Sequence, residues 1–164
     1  MQTRDPLDPD ASQVLLGCFE VGGHTLAIDV VQLREVVRHQ PATPLPGAPA
    51  SIEGVIDLRG TLVPVVDLGR LLGGEPLRAG SRSRIAVAEV DGIAIGLAVD
   101  AAIQILAVQG SALGDPPALA VQSGCAATRA VLRRSDAAPI AVLSLEHVIE
   151  CLYREALAGG EGAR

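Results

Sequence analysis

Gly54-Val-Ile-Asp-Leu-Arg-Gly-Thr-Leu-Val-Pro-Val-Val-Asp67 is the stretch on which the fold turns. Two short apolar runs, Val55–Leu58 and Leu62–Val66, flank Arg59-Gly60, and this pattern predicts a hairpin that reverses at that pair. Pro64 has no amide donor, so its strand is expected at a sheet edge or with a bulge there. Asp67 is placed to cap a short helix, Leu68–Leu72, which Gly73-Gly74 terminates.

Upstream, Pro41, Pro44, Pro46 and Pro49 exclude helix or central strand and predict a stiff, extended surface loop. Before it lie Val14–Val21, a Gly22-Gly23 turn, a strand from His24 to Val30 with period-two alternation, and a further extended piece over Val31–Val37. Downstream, the polar stretch Glu75–Arg84 is a connector. Leu97-Ala-Val-Asp-Ala-Ala-Ile-Gln-Ile-Leu-Ala-Val108 then lines up with Leu26-Ala-Ile-Asp-Val-Val-Gln-Leu-Arg-Glu-Val-Val37. Glu20-Val21 matches Glu89-Val90, and Val65-Val-Asp-Leu68 matches Val142-Leu-Ser-Leu145. These matches, in the same order, indicate a duplicated β-unit with about five short strands per half, the composition of a small closed barrel. The second half has its own loop, Gly110–Gly124, with Asp115-Pro-Pro117. Ser144 is expected to cap a helix from Leu145 to about Leu157, followed by a Gly-rich disordered tail from Ala158.

The expected organisation is a polar tail over 1–12, one unit over 13–152, and a helix end and disordered tail over 153–164. Within the unit, barrel 1 spans about 13–74 and barrel 2 about 83–152, with exchange of strands between them left open.

The 164 residues carry 13 basic groups, all Arg, against 19 acids, for a formal net charge of -6. That balance disfavours a polyanion-binding surface, and an aromatic share of 1% leaves no stacking platforms for single-stranded nucleic acid. Cys18, Cys125 and Cys151 are odd in number and scattered, which reads as reduced thiols in a cytoplasmic protein. The N-terminus lacks the basic and apolar regions of a signal peptide. Glu89, Asp91 and Asp100 interrupt the most apolar window, so no membrane helix is expected.

The chemistry-bearing residues do not assemble into a reactive motif. His24, His39 and His147 form neither HExxH nor a zinc-type cluster. Cys18 sits within a strand, with no base or orienting partner in the sequence to make it a nucleophile. Asp29 with Asp100, and Asp57 with Asp67, are explained as strand ends and caps. No phosphate loop is present. Catalytic, cofactor and metal sites are therefore all expected to be absent.

Arg34-Glu-Val-Val37, Thr43-Pro-Leu-Pro-Gly-Ala-Pro49 and the 54–68 hairpin together resemble the CheW family of chemotaxis coupling proteins. That family's pattern is an R/Q-E-V/I strand end, a Pro-rich loop and a GV-x-N-LRG-x-x-x-P-V-x-D-L hairpin. Gly96-Leu-Ala-Val-Asp100 matches its second-half strand. The resemblance covers about Gln13 to Leu152. It implies an all-β fold of two intertwined five-stranded SH3-like barrels with short helices, one of them C-terminal. It further implies a non-catalytic adaptor between the cytoplasmic tips of methyl-accepting chemoreceptors and a CheA-type histidine kinase, whose regulatory domain is itself CheW-like. Such an adaptor is cytoplasmic and sits at membrane-bound chemoreceptor arrays. By motif position, the receptor's helical hairpin would contact Leu33, Glu35, Val36, Asp57 and Arg59. Kinase contacts would fall near Ile85, Ala102 and Leu119.

Asp57 replaces the family's Asn, exchanging an amide that donates and accepts for a carboxylate that accepts, and this points to a receptor tip presenting Arg or Lys. Ala130 stands where the family has Gly, and the hairpin Arg133–Pro139 is unusually polar. These departures suggest an auxiliary chemosensory pathway. The competing classes are a stand-alone β-barrel that binds a small molecule in the inter-barrel groove, and an enzyme dependent on Cys18 or a histidine.

Overall fold

The computed structural model describes residues 13–117 and 127–161. Eleven strands build two sheets: β1 (Val14–Val21), β2 (His24–Asp29), β3 (Leu33–Arg38), β4 (Ile52–Leu58), β5 (Thr61–Asp67), β6 (Arg84–Val90), β7 (Ile93–Val99), β8 (Ala101–Val108), β9 (Leu113–Gly114), β10 (Thr128–Leu132) and β11 (Ile140–Leu143). Two helices, α1 (Leu68–Leu71) and α2 (Leu145–Glu161), follow β5 and β11. Three hairpins turn on two residues, Gly22-Gly23, Arg59-Gly60 and Asp91-Gly92, all at positive φ. This is the turn geometry whose twist matches that of paired strands.

One sheet runs β8-β1-β2-β11-β10-β9 and the other β3-β6-β7-β5-β4. Each is therefore assembled from both halves of the chain. The β1–β2 hairpin pairs with second-half strands, and the β6–β7 hairpin with first-half strands. The exchange runs through two parallel seams, β2 on β11 (Leu26 opposite Ala141) and β7 on β5 (Leu97 opposite Val66). The architecture is the expected pair of SH3-like barrels.

Pairing registers show how far the duplication extends. Leu33, Glu35, Val36 and Val37 of β3 lie opposite Ala88, Val87, Ala86 and Ile85, while Ala102, Gln104, Ile105 and Leu106 of β8 lie opposite Phe19, Cys18, Gly17 and Leu16. Both pairings bulge at the same place. The structural counterparts are thus Glu35 with Gln104 and Val36 with Ile105. The alignment of 26–37 with 97–108 holds only as far as Asp29 and Asp100. A 3-10 turn, Val30–Gln32, then lengthens the first half; Asp29 caps it by accepting the Val31 N–H at 2.9 Å. The chain at Val31 is therefore turned, not extended.

Three apolar cores result. Val14, Leu16, Cys18, Ile140 and Val142 fill one barrel, and Ile56, Val63, Val65, Ile85 and Val87 fill the other. Phe19, Leu26, Ile28, Val66, Leu97 and Leu143, with Leu145, Val148 and Leu152 of α2, form a third core between them. Alternate residues of β2, β6 and β7 thus face different cores, so both faces are buried. That is why these strands read as nearly continuous apolar runs.

Three expectations change. β5 lies inside its sheet, and the nearby register shift falls at Ile52/Gly54 on β4, not at Pro64. Val55, opposite Pro64, exchanges both its backbone hydrogen bonds with Thr43 instead, at 2.8 and 2.9 Å, so β4 asks no donor of Pro64. The C-terminal helix also continues to Glu161, through much of the expected tail; its end beyond that, the 1–12 segment and Leu119 lie outside the described residues. Cys151 is disulfide-bonded, contrary to the expectation of reduced thiols throughout, whereas Cys18 is free.

Gly54 makes the Thr43 bridge possible. Its φ is +149°, and a Cβ there would approach Thr43 O to 2.1 Å. Ala130 occupies the matching position of β10, opposite Val142. Gly54→Ala is therefore expected to destabilise the protein by about 2–3 kcal/mol, read as a lower urea midpoint with an unchanged slope. A midpoint equal to the parent's would show that the Pro-rich loop yields without cost.

Candidate partner-binding groove

Where the two barrels meet, Leu33 at the start of β3 reaches across to the other sheet. It rests on Gly17 of β1, and a Cβ on Gly17 would come within 2.7 Å of Leu33 Cδ1. Gly17 pairs with Ile105, and Leu15 with Ala107, so these side chains share the face on which Leu33 sits. Leu15, Ile105 and Val36 are exposed there, Ile105 by 66%. An apolar groove results, with one wall from each barrel and Leu33 bridging its floor.

The charged candidates lie on the other face of β3, since Glu35 is opposite Val87 of a barrel core and Val36 is opposite Ala86 of the central core. Arg59, at the tip of the β4–β5 hairpin, donates from Nη2 to Glu35 Oε1 at 2.5 Å. Asp57 Oδ1 accepts the Gly60 N–H at 2.7 Å and closes the same hairpin. The exchange of the family's amide for a carboxylate therefore leaves the turn its acceptor. Arg34 is engaged elsewhere, with Glu89 at 2.9 Å.

The structure thus places Leu33, Glu35, Val36, Asp57 and Arg59 along β3 and the hairpin beside it, on both faces of the strand. It separates the second set. Ile85 is fully buried in a barrel core, its Cγ2 2.8 Å from where a Gly96 Cβ would be, so its side chain cannot meet a partner, and that expectation is corrected. Its position inside an alternating strand buried on both faces explains this. Ala102 is exposed on β8, the structural counterpart of Leu33. Leu119 lies outside the described residues. The sequence reading missed Gly17, Leu15 and Ile105. Their roles depend on which strand pairs with β1, and the two-residue slip at the 3-10 turn hid the correspondence of Ile105 with Val36.

Reactive chemistry is not assembled among the described residues. No group of three or more His, Cys, Asp or Glu side chains is placed to hold a metal there. Burial pushes the Cys18 thiol above its ordinary pKa, and the Arg134 guanidinium only partly opposes this, the reverse of nucleophile activation. His39 Nε2 lies 3.6 Å from Glu53 Oε2. Burial pushes the Glu53 carboxyl up, His39 opposes the shift and Asp67 adds to it. A cleft of about 360 Å³ beside the β1–β2 turn is lined by Val21, Leu77, Glu75, Arg78 and Asp100, on the rim of the barrels and away from the groove. No helix among the described residues is long and apolar enough to cross a membrane.

Two intertwined SH3-like barrels that exchange hairpins define the fold class of this chain. The CheW-like domain model matches residues 16–151, and the chain belongs to that family. It is 35% identical over 138 residues to the chemotaxis protein CheW of Rhizobium meliloti, covering 84% of this chain and 88% of that one. It is 33% identical over 100 residues to Protein FrzA of Myxococcus xanthus, covering 61% and 62%. The crystal structure of the scaffolding protein TtCheW from Thermoanaerobacter tengcongensis superposes with a TM-score of 0.76 at 26% identity, covering 84% of this chain and 92% of that one.

Two outcomes test the local physics. Gly17→Ala is expected to displace Leu33 and cost about 1–3 kcal/mol, yet to cost little in a Leu33→Ala background; additive costs would show that Leu33 is not the neighbour displaced. Folding raises the Glu53 pKa above its ordinary 4.5, so the associated stability is full below that value and is lost as pH rises through the folded one. Glu53→Gln should then gain stability relative to the parent between about pH 4 and about pH 7, measured by denaturant unfolding at both. A relative loss over that interval would reverse the sign of the shift.

Proposed function

We propose that this chain couples chemoreceptor tips to a CheA-type histidine kinase, with the receptor's helical hairpin lying in the groove between the barrels. The observation that supports this reading is the exposed apolar surface where the barrels meet, Val36, Leu15 and Ile105 around the Leu33–Gly17 contact. An amphipathic helix buries its apolar stripe against such a surface. Modest contacts of this kind suit an adaptor whose action is positional and whose affinity multiplies through repeated contacts in an array.

The kinase is placed on the surface of the second barrel, where exposed Ala102 remains a candidate and Ile85 does not. The protein works at the cytoplasmic face of receptor arrays. The departures at Asp57, Ala130 and Arg133–Pro139 favour an auxiliary chemosensory pathway.

The test is a pull-down from the protein's own cell extract beside an Arg59→Glu variant. Both a chemoreceptor and a histidine kinase are expected with the parent, and the kinase alone with the variant. If neither partner accompanies the parent, while a small molecule binds it saturably without one, the stand-alone ligand-binding barrel replaces the adaptor.

A further inference from the structure

Each sheet ends in two strands, and three of these four ends are guarded. β3 carries Arg34, Glu35 and Arg38 along its outer edge. β4 carries Glu53 and Asp57, and Thr43 takes both backbone hydrogen bonds of Val55 on its outer side. β9 is only two residues long. Charge, cover and shortness are ways in which a folded sheet keeps its edge from pairing with another chain.

β8 has none of these. It is eight residues long, Ala101–Val108, with no charged residue and no proline. It pairs with β1 on one side and, among the described residues, with no strand on the other. Its one irregularity leaves Ile103 unopposed between Ala102 and Gln104, so Gln104–Val108 is the regular part. Along that part every second residue turns its N–H and C=O away from β1, and Gln104, Ile105 and Ala107 are exposed. β3, the duplicate strand, takes the same place in its own barrel with three charged residues. The barrel therefore does not require an uncharged edge at β8.

An open edge accepts an extended strand, and the same strand of a second copy complements it. Laid antiparallel on itself about Leu106, Gln104–Val108 sets Ile105 opposite Ala107 and Gln104 opposite Val108. No charge meets another, and Asp100 falls outside the paired stretch. Because the other ends are guarded, such pairing joins the one open edge of each molecule and stops at two. The product is a closed, isologous dimer instead of a fibre.

We infer that β8 is a self-pairing surface, through which two copies of this chain form an antiparallel, two-fold symmetric dimer with one continuous sheet, six strands from each copy. The pairing uses the edge of β8, whereas the docking reading above uses its face, so the inference does not rest on that reading. The net charge of -6 on each copy opposes the approach, so the dimer strengthens as salt screens the repulsion.

The experiment is sedimentation equilibrium of the full chain, from about 5 µM to about 1 mM, in about 0.5 M salt. A reversible monomer–dimer equilibrium is expected, with a Kd of about 10–500 µM, as suits a small interface. Ala107→Lys and Ile105→Glu each bring like charges together across the two-fold axis and should weaken self-association about tenfold or more. Mixed in equal amounts, the two variants set opposite charges face to face and should associate with each other about as tightly as the parent does with itself. Amide hydrogen exchange of the parent supplies a readout that needs no variant. The amides of 104–108 that face away from β1 should exchange fast at the low concentration and slowly at the high one. A parent that stays monomeric throughout overturns the inference. So does a dimer that both variants keep, a mixture that fails to associate, or a dimer that leaves those amides unprotected.

Discussion

The β1–β2 hairpin belongs by sequence to the first half of the chain and by hydrogen bonding to the second, and the β6–β7 hairpin makes the reverse move. The parallel seams this creates, Leu26 against Ala141 and Leu97 against Val66, are where the halves lock. Because the exchanged strands are buried on both faces, one side completes a barrel and the other builds the shared central core. The groove is a by-product of this lock. Its floor forms only where Leu33 of one sheet finds a residue without a Cβ in the other, and Gly17 supplies that opening.

The function that follows is geometric. Nothing among the described residues activates a nucleophile or gathers metal ligands, and burial weakens Cys18 as a nucleophile instead of sharpening it. What the fold provides is apolar surface from two barrels held in register by the exchanged hairpins. The charges at the β4–β5 turn act on each other. Asp57 closes the turn, and Glu35 accepts from Arg59 across to β3.

Much of this was legible in the sequence because it is local. The Arg59-Gly60 turn, the Asp67 cap and the Gly22-Gly23 reversal each follow from a few neighbouring residues, and all appear as expected. The hydrogen bond from Arg70 N–H to Asp67 Oδ1 is that cap. The duplication was legible too, as repeated words in one order. What local pattern could not supply was pairing. Ile85 came forward as a kinase contact only through the family resemblance, and the pairing shows it buried on the barrel side. Ile105 stayed hidden for the opposite reason, because two residues of 3-10 turn displaced its counterpart. Pro64 looked like an edge residue until Thr43 proved to occupy the hydrogen bonds of Val55.

The exchange of hairpins also has a consequence for the protein's birth on the ribosome. β1 and β2 find their partners in β8 and β11, which are synthesised well after them. No barrel can close when half the chain has emerged, since each sheet still lacks strands from the other half. Loop-closure entropy across such separations slows folding and leaves apolar hairpins waiting. The nascent chain therefore carries β1 without its β8 partner, and β2 without β11, until the second half has emerged. A product truncated before β8 would lack the strand that carries Ile105 and Ala102.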